Sequence, residues 1–485
     1  MKTLNRESSN LNRVYPERVL QFGGGNFLRG FVDWIIDKYN RQSNDEKMGV
    51  LVAKVQKQGS YQDWKNQDGL FHLFTKGYIN GRTVDEKTLV TCVSRILEVH
   101  QEYEAFLCSS QQSALNIVVS NATEAGLEFD PNDSENDVPF TFPGQLCRWL
   151  EARWMYFGSD RAGKCIILPC ELVKENGEIL KNTVLRYAKK FGIKPGFKNW
   201  LNTHCTFCNT LVDRIVPGIS KSEFPIYQER SGYCDLWMTK AEPYHLWVVE
   251  TDYDLSAQLP LDRIGLNVIY TKDLTPYRER KVKILNGAHT AMVPIGLCLE
   301  IPLVKEVVDH EDLGPFIEKM VFEEIIPCLN LDQDKSKKYA EEVFDRFRNP
   351  YLDHYLRDIA LYSISKFNHR LKPSIKAFTE KYHRLPKRCI LAFACLLIFY
   401  KGRLKDIVFE TNDKADQEEA MTQHWIKMGN SGVISPITLQ ALLSDGLLWE
   451  EDLTIITGFT DLVSEYLSAI LNGKLSLLIQ ELNDD

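Results

Sequence analysis

The chain has 485 residues, of which 44% are hydrophobic and 26% charged, and its formal net charge is −8 at pH 7. This length can bury the cores of two or three domains. The acidic balance argues against a general nucleic-acid or membrane-surface binder, because such proteins cluster positive charge. Residues 1–10 lack the apolar core of a signal peptide, and the longest apolar run, 389–400, is too short to span a bilayer. We therefore expect a cytoplasmic protein.

The cysteines do not indicate a disulfide scaffold. Most of the 12 lie in apolar surroundings, which is typical of small core residues with free thiols. The segment 204–208, His-Cys-Thr-Phe-Cys, is the one stretch that resembles part of a metal site. A structural zinc site needs a second pair of ligands at comparable spacing, and the sequence offers none. We therefore predict that the protein works without a metal.

The first half of the chain alternates short strands with helices. Apolar and β-branched runs predict strands at 19–22, 50–55, 116–120, 165–168 and 245–249. Helical periodicity predicts helices at 31–39, 145–154 and 177–191. Such alternation is typical of a parallel sheet with helices on both faces. We therefore predict a Rossmann-like α/β domain over residues 1–275.

The second half of the chain is dominated by helical periodicity. The predicted helices are 314–326, 337–347, 355–367, 388–400, 417–428 and 462–481. The change of character falls near Pro276, because the short β-branched runs end there. The sequence therefore predicts a mainly α-helical substrate and catalytic domain over residues 276–485. Substrate is expected in the cleft between the two domains, a usual place for ligands.

A glycine-rich turn joins the first predicted strand to the first helix. It reads Leu20, Gln21, Phe22, Gly23, Gly24, Gly25, Asn26, Phe27, Leu28, Arg29 and Gly30. Glycines let the backbone approach a pyrophosphate, and a helix N-terminus offers free N–H groups. The spacing is a variant, because Leu28 stands where the third glycine of the usual fingerprint would be. We predict that these residues bind a dinucleotide; the alternative is an ordinary glycine turn.

Two later segments bear on the cofactor. An NAD site usually carries Asp or Glu after the second strand, where the acid binds the ribose 2′-hydroxyl. Here Lys54 and Lys57 follow that strand without an acid, which on its own favours NADP. The loop that contains Asn121, Thr123 and Glu124 follows a later strand. We predict that this loop lies on the nicotinamide side of the cofactor.

The segment from Lys281 to His289 reads Lys-Val-Lys-Ile-Leu-Asn-Gly-Ala-His and places a possible base, a carboxamide and an imidazole close together. In an α-helix, Lys281 and His289 would lie within roughly 80° of each other, and Asn286 would be more offset. These groups suit the interconversion of a hydroxyl and a ketone. A base takes the hydroxyl proton while hydride leaves the carbon, and polar donors hold the alkoxide. The alternatives are a solvated lysine, an Asn-Gly turn and a structural histidine.

Together the glycine turn and the Lys281–His289 segment resemble the mannitol dehydrogenase family of long-chain polyol dehydrogenases. Further similar segments, in the same order, are 209–217, 246–250 and 357–367. The resemblance therefore covers most of the chain. Within the family, the branch of tagaturonate reductases (altronate oxidoreductases) is most similar at 1–6, 15–18 and 170–172.

The resemblance implies an activity and roles for site residues. The activity is reduction of the ketone of tagaturonate to altronate in hexuronate catabolism, with NADH and no metal; NADP remains the alternative cofactor. Lys281 would be the general base in oxidation and the acid in reduction. Asn286 would donate to the carbonyl oxygen, with Asn176 as a second asparagine for that task, and His289 would bind a neighbouring hydroxyl. We expect a monomer or loose dimer with a small-molecule sugar-acid substrate.

Four further residues are predicted to contact the substrate. Arg278, Arg357 and Lys366 are candidates for binding a carboxylate, since a guanidinium meets a carboxylate in a two-pronged geometry. Arg357 and Lys366 match basic positions that contact substrate in the family. Arg278 stands where related polyol dehydrogenases can carry a glutamate. Asp213 is predicted to orient a hydroxyl or a lysine, and a structural pair with Arg214 is the alternative.

Other functions remain open at this point. The alternative within the family is an enzyme that acts on fructuronate, on mannitol and fructose, or on a sugar phosphate. The phosphate group would also be stabilised by nearby cations. A different class is a non-catalytic nucleotide-binding protein that senses redox state. The presence of Lys281 beside Asn286 and His289 argues against a sensor, because a sensor does not need a base.

Overall fold

The structure is a computed structural model that describes residues 1–79, 81–122, 124–351, 353–401, 411–429 and 434–485. The chain forms two compact units. Unit 1 comprises Met1–Lys76 and Thr83–Leu274, and unit 2 comprises Gly77–Arg82 and Thr275–Asp485. Within the described ranges, no helix combines the length and the hydropathy needed to cross a membrane.

The strands are labelled in chain order. They are β1 Lys2–Thr3, β2 Glu17–Phe22, β3 Gly49–Lys54, β4 Phe71–Ile79, β5 Arg82–Val90, β6 Val93–Glu98, β7 Ile117–Ser120, β8 Cys165–Pro169, β9 Cys205–Phe207, β10 Thr210–Asp213, β11 Tyr233–Cys234, β12 Thr239–Ala241, β13 Leu246–Glu250 and β14 Val268–Thr271.

The main sheet of unit 1 has the strand order β6-β3-β2-β7-β8-β9, and its neighbouring strands are parallel. Leu20 of β2 lies opposite Leu51 on one side and Val118 on the other. The chain builds outward from β2 in both directions, so the strand order reverses between β2 and β7. Ligands of open α/β sheets bind beyond the carboxyl ends of the strands at such a point.

Helices cover both faces of this sheet, as the sequence predicted. The helices of unit 1 are Asn26–Leu28, Trp34–Gln42, Gln62–Asn66, Tyr103–Ser109, Phe142–Phe157, Asn176–Lys190, Gly196–His204 and Phe224–Ser231, with a π-helical turn at Arg29–Asp33 and 3₁₀ turns at Glu124–Leu127, Arg161–Gly163, Leu255–Ala257 and Leu261–Ile264. Val19 and Val50 pack in one core cluster with Phe31, whereas Leu20 and Leu51 pack in a second cluster. Neighbouring residues of one strand thus face opposite layers.

The prediction for 245–249 was right about the strand and wrong about its sheet. β13 pairs antiparallel with β10 and parallel with β14, in a separate three-stranded sheet. Apart from β2, β3, β7, β8 and β13, no strand was predicted, and the missed strands include β6 and β9 at the two edges of the main sheet. β5 is mostly polar and exposed, so its hydrophobic signal is weak.

Unit 2 is mainly helical, as predicted. Its helices are Thr275–Arg280, Gly287–Cys298, Val304–Asp309, Leu313–Lys319, Gln333–Phe347, Leu356–Ile359, Ser363–Lys366, Lys372–Tyr382, Lys387–Tyr400, Ala415–Met428, Pro436–Leu443, Gly446–Trp449, Phe459–Leu471 and Leu475–Asp484. π-helical turns lie at Lys281–Asn286, Met320–Ile325 and Phe367–Leu371, and 3₁₀ turns at Ile326–Cys328 and Leu453–Ile455.

Two predicted helices of unit 2 are interrupted. The helix predicted at 355–367 breaks between Ile359 and Ser363, where Tyr362 adopts a left-handed conformation with φ of 58°. The helix predicted at 462–481 breaks before Leu475, at Gly473, whose φ is 72°. Helical spacing continues across both breaks in the sequence, so periodicity alone did not reveal them.

Candidate functional site

A cavity of about 710 Å³ lies at the carboxyl edge of the main sheet in unit 1. Its lining includes the glycine turn at Gly23–Gly25, Lys54, Tyr61, Asn121 and Thr141. The cavity therefore adjoins the ends of β2, β3 and β7, where the strand order reverses. Its volume is within the range of sites for small molecules and cofactors, roughly 300–1,000 Å³.

Different constraints require glycine at different positions of the turn. Gly23 has a φ of 96°, which side chains disfavour. A Cβ on Gly24 would come within 2.5 Å of the Trp64 ring, and one on Gly30 within 2.6 Å of Val216. Gly25 has extended backbone, and no atom lies within 4 Å of its Cβ position. Gly25 therefore leaves open space beside the helix that begins at Asn26.

Arg29 supports the turn from inside the protein. Its guanidinium donates to the carbonyl of Gly24 and to Asn26 Oδ1, the latter at 2.7 Å. It also lies 4.9 Å from the centre of the Trp237 ring. Burial lowers the pKa of Arg29 to about 10. These contacts give Arg29 a structural role in shaping the turn.

The other predicted cofactor residues of this segment are divided between the core and the cavity. Phe22 lines the cavity, whereas Leu20 and Leu28 are buried in the two cores. Phe27 stacks on Phe31, with ring centroids 5.0 Å apart. Gln21 is fully buried and donates to the Gly23 carbonyl at 3.2 Å.

Sequence reasoning missed Asp33, a buried acid beneath the turn. Gln21 Nε2 donates to Asp33 Oδ2 at 3.3 Å. Burial raises the pKa of Asp33 to about 7, opposed by the hydrogen bond from Gln21 and the charge of Arg29. The available signal was a single charged residue within the otherwise apolar run 31–36.

The loop after β7 is held by the segment that directly follows β8. Asn121 Nδ2 donates to the Cys170 carbonyl at 2.7 Å, and the Ala122 N–H donates to Glu171 Oε1 at 2.8 Å. Glu171, which the prediction did not include, is buried, and burial raises its pKa. Thr123 lies outside the described residues. Glu124 begins a 3₁₀ turn, and its side chain is not described.

The charge of Lys54 is balanced within the protein. Lys54 is buried, its Nζ lies 3.9 Å from Glu98 Oε2, and it donates to the Gln56 carbonyl. Glu98 also accepts from the Tyr61 N–H at 2.8 Å. Lys57 is exposed. Glu98 at the end of β6 is therefore an acid at this edge that the sequence did not reveal, because β6 itself was missed.

Asn176 has a structural environment. Its side chain is fully buried, and Nδ2 donates to the carbonyls of Pro169 at 3.0 Å, Glu171 at 2.9 Å and Thr210 at 3.2 Å. Its Oδ1 accepts from the N–H groups of Gly177 and Thr210, both at 2.9 Å. The predicted donor to substrate thus has its hydrogen-bonding capacity used by the backbone around β8 and β10.

Asp213 and Arg214 lie at and just after the end of β10. Asp213 is buried. Arg214 donates to the Glu242 carbonyl at 2.9 Å and to the Gly30 carbonyl at 2.6 Å. Its guanidinium lies 4.0 Å from the centre of the Trp34 ring, and burial lowers its pKa to about 9. Arg214 therefore anchors the helix that follows the glycine turn.

In unit 2, the segment with Lys281 and Asn286 forms a π-helical turn that continues as the helix Gly287–Cys298. Hydrogen bonds in a π-helix join residues five apart. Asn286 therefore lies about one turn above Lys281 on nearly the same side of the helix, whereas an α-helix would place the two side chains on more divergent sides. Both side chains are partly exposed, whereas His289 is buried. π-helical turns occur frequently at functional sites.

His289 has an unusual combination of burial and unmet hydrogen bonding. It is 7% exposed, and its Nε2 has no hydrogen-bond partner in the part of the chain that is described. The ring lies 4.5 Å from Phe347 and 5.0 Å from His354, between centroids. Burial, followed by the charges of His354 and nearby cations, lowers the pKa of His289 well below its usual value. The imidazole is therefore neutral at pH 7.

A second π-helical turn, Phe367–Leu371, packs on this segment. Lys283 Nζ donates to the His369 carbonyl at 3.2 Å. Lys366 precedes this turn, is partly buried, and donates to the Ile359 carbonyl at 2.7 Å. Burial, with a contribution from Arg370, lowers the pKa of Lys366 to about 8. Arg346, Arg370 and Lys366 all depress the pKa of His289, so the structure brings three cations near the imidazole.

The other two predicted cations have different surroundings. Arg278 is partly buried on the helix Thr275–Arg280. Arg357 is exposed, lies 3.6 Å from Asp358 Oδ1, and stacks over Tyr355 at 4.7 Å. Lys366 is thus partly buried and acts on the buried His289, whereas Arg357 is exposed to water.

The segment 204–208 does not form a metal centre. His204 stacks on Trp200, with ring centroids 5.5 Å apart, and Cys205 lies opposite Cys165 in the register of β8 and β9. Across the described ranges, no group of three or more His, Cys, Asp or Glu residues is arranged to hold a metal ion.

Comparisons with known proteins cover both units. The family model described as the mannitol dehydrogenase Rossmann domain matches residues 17–263, and that of the mannitol dehydrogenase C-terminal domain matches 273–471. An altronate oxidoreductase of Bacillus subtilis (strain 168) is 38% identical over 475 residues, which is 97% of this chain and 96% of that protein. An altronate oxidoreductase of Escherichia coli O7:K1 is 38% identical over 473 residues, which is 97% of this chain and 98% of that protein.

Solved structures share the fold. A Pseudomonas fluorescens mannitol 2-dehydrogenase, in a ternary complex with NAD and D-mannitol, has a TM-score of 0.71 at 19% identity, covering 100% of each chain. A D-sorbitol dehydrogenase in substrate-free form has a TM-score of 0.80 at 21% identity, covering 99% of this chain and 100% of that one.

Proposed function

The chain belongs to the mannitol dehydrogenase family, whose members are oxidoreductases acting on CH–OH groups, and from this premise we propose that it reduces the ketone of tagaturonate to altronate with NADH. Relatives that match nearly the whole chain carry the name altronate oxidoreductase, which supports a sugar-acid substrate. Lys281, Asn286 and His289 keep their predicted roles. Asn176 and Arg29 do not, because their side chains hydrogen-bond the protein's own backbone.

The observation that carries the proposal is the cationic environment of the Lys281–His289 segment. Arg346, Arg370 and Lys366 all act on the imidazole of His289 and, with His354, lower its pKa. A neutral polyol does not need nearby cations, whereas a carboxylate is stabilised by them. A sugar phosphate is the second candidate, because the same cations would stabilise a phosphate.

The residues of this segment would handle the proton and the oxygen of the ketone. NADH, when bound, supplies the hydride to the carbonyl carbon. Lys281 donates a proton to the oxygen in reduction and takes it back in oxidation. Asn286, one π-turn above Lys281, donates a hydrogen bond to the same oxygen as negative charge develops. The neutral His289 hydrogen-bonds a neighbouring hydroxyl.

The cofactor would occupy the cavity of unit 1. Gly25 gives the pyrophosphate room, and the helix that begins at Asn26 offers unpaired N–H groups. Lys54 and Lys57 favoured NADP in the sequence; the charge of Lys54 is balanced by Glu98, whereas Lys57 is exposed. The pairing of Lys54 weakens the case for a 2′-phosphate and supports NADH, and NADP stays the alternative cofactor. The expectation that the enzyme is cytoplasmic stays a prediction.

Isotope transfer tests this proposal. The enzyme is incubated with tagaturonate and NADH deuterated at the transferable position, and the product is analysed by NMR. We expect altronate with deuterium on the former ketone carbon. A deuterated product from fructuronate, fructose or a ketose phosphate, with none from tagaturonate, would contradict the proposed substrate.

A further inference from the structure

We propose that Arg370 binds the carboxylate of the substrate and thereby selects acidic keto sugars over neutral ones. The inference rests on the proposed function and deepens it, because it assigns the acid group to a residue that neither the sequence patterns nor the family resemblance had indicated. Lys366 and the Nε2 atom of His289 complete the proposed anion site.

The position of Arg370 is set by its backbone. The Arg370 carbonyl lies 3.9 Å from the point that a Cβ on Gly287 would occupy, in the helix that continues from Lys281. On the same π-helical turn, the His369 carbonyl accepts from Lys283. The turn that carries Arg370 therefore packs directly on the segment that carries the catalytic groups.

Arg370 lacks a carboxylate partner among the described residues, although it is partly buried. Burial alone accounts for the lowered pKa of its guanidinium, so no described acid is close enough to raise it. Two other arginines of unit 2 are paired: Arg388 lies 3.0 Å from Glu323, and Arg348 donates to Glu318. A cation withdrawn from water without a counter-charge is costly, and an anionic ligand would offset that cost.

The neighbours of Arg370 offer further donors. Lys366 uses one donor for the Ile359 carbonyl and has others available for an anion. The buried Nε2 of His289 has no partner in the described structure, so it can serve a ligand oxygen when protonated at that nitrogen. A carboxylate has two oxygens that accept several hydrogen bonds, and a guanidinium can meet both.

Arg357 is a weaker candidate for the same task. Its guanidinium is exposed, lies beside Asp358 and stacks on Tyr355. Its charge is thus already partly balanced and screened by water. The acid-binding role predicted from the sequence therefore passes, within this proposal, from Arg357 to Arg370.

The test compares an acidic and a neutral substrate. In Arg370→Gln, we expect kcat/KM for tagaturonate to fall about ten- to a hundredfold, mainly through KM, because one charged hydrogen-bonding partner is lost. Reduction of fructose should change less than about threefold. Arg370→Lys should recover part of the loss, since it restores charge without the two-pronged geometry. Arg384→Gln, which removes an exposed arginine of the same unit, is the matched control.

The outcomes separate this inference from the proposed function. Equal losses on both substrates would overturn it, and so would a selective loss in Arg357→Gln with none in Arg370→Gln. If the wild type does not reduce tagaturonate, the proposed function fails, and calorimetric titration with gluconate and with neutral sorbitol decides the inference. Gluconate binding that is weakened at least about tenfold in Arg370→Gln, with sorbitol binding unchanged, supports an acid-binding Arg370. Unchanged gluconate binding overturns it.

Discussion

Lys283 Nζ donates a hydrogen bond to the carbonyl oxygen of His369 at 3.2 Å, and this contact joins the two π-helical turns that carry the chemistry-bearing residues of unit 2. Lys281 and Asn286 lie on one turn, and Arg370 lies on the other. A π-helical turn changes which residues share a helix face. The two irregular turns therefore determine which of these side chains would face the proposed substrate.

Replacing the proposed acid removes turnover without removing the nucleotide site. Lys281→Met should lower kcat by about 10²–10⁴-fold, which is the usual contribution of positioned acid–base catalysis. NADH affinity, measured by fluorescence titration, should be nearly unchanged, because the glycine turn lies in unit 1. Lys305→Met, which removes a lysine paired with Asp309, serves as the control. Turnover near the wild-type rate in Lys281→Met would mean that another group moves the proton.

The glycine turn is tested at its open position. Gly25→Val should weaken NADH binding by about tenfold or more, because a branched side chain would enter the space that the pyrophosphate needs. The extended backbone of Gly25 accepts a side chain, so circular dichroism should show an intact fold. Gly446→Val is the control, since Gly446 also has open space at its Cβ position. Unchanged NADH affinity in a folded Gly25→Val would exclude this turn from the nucleotide site.

The pH dependence of substrate binding follows from Lys366. Because burial lowers the pKa of Lys366 to about 8, its ammonium is charged below that pH and neutral above it. KM for tagaturonate should therefore rise as the pH increases from about 7 to about 9, while KM for neutral fructose should not. Lys366→Met should raise KM for tagaturonate at the lower pH and flatten its rise. An identical rise for both substrates would show that Lys366 does not serve the acid group.

Asn176 should matter for folding rather than for chemistry. In Asn176→Ala, the carbonyls around β8 and β10 lose their donor, at about 1–3 kcal/mol for each buried group left unpaired. Urea unfolding should show this loss, and kcat per folded enzyme should remain within about threefold of the wild type. A large fall in kcat with unchanged stability would restore the catalytic role that the sequence suggested.

Much of the fold was predictable because hydrophobic patterning is strong where both faces of an element are buried. β3, β7 and β8 have nearly continuous apolar runs, and the helix Lys387–Tyr400 is apolar from Cys389 onward. β5 has no such pattern, so it and its neighbours were missed. The π-helical turns were also invisible, because their effect on periodicity is a single inserted residue.

The site was predictable in part for a similar reason. Lys281, Asn286 and His289 are close in sequence, so any helical geometry keeps them together. Arg370 is far from them in the chain, and its place depends on the break at Tyr362 and on the π-helical turn that follows. Asn176 was named on the family resemblance, and only the tertiary hydrogen bonds reveal its structural use.

The central claim is that this enzyme reduces tagaturonate with NADH, and a single kinetic comparison tests it most directly. The loss of NADH absorbance is followed with tagaturonate, fructuronate, fructose and a ketose phosphate, and each reaction is repeated with NADPH. We predict that kcat/KM for tagaturonate with NADH exceeds every other combination by about tenfold or more. A preference for fructose or the ketose phosphate, or for NADPH, would contradict the account.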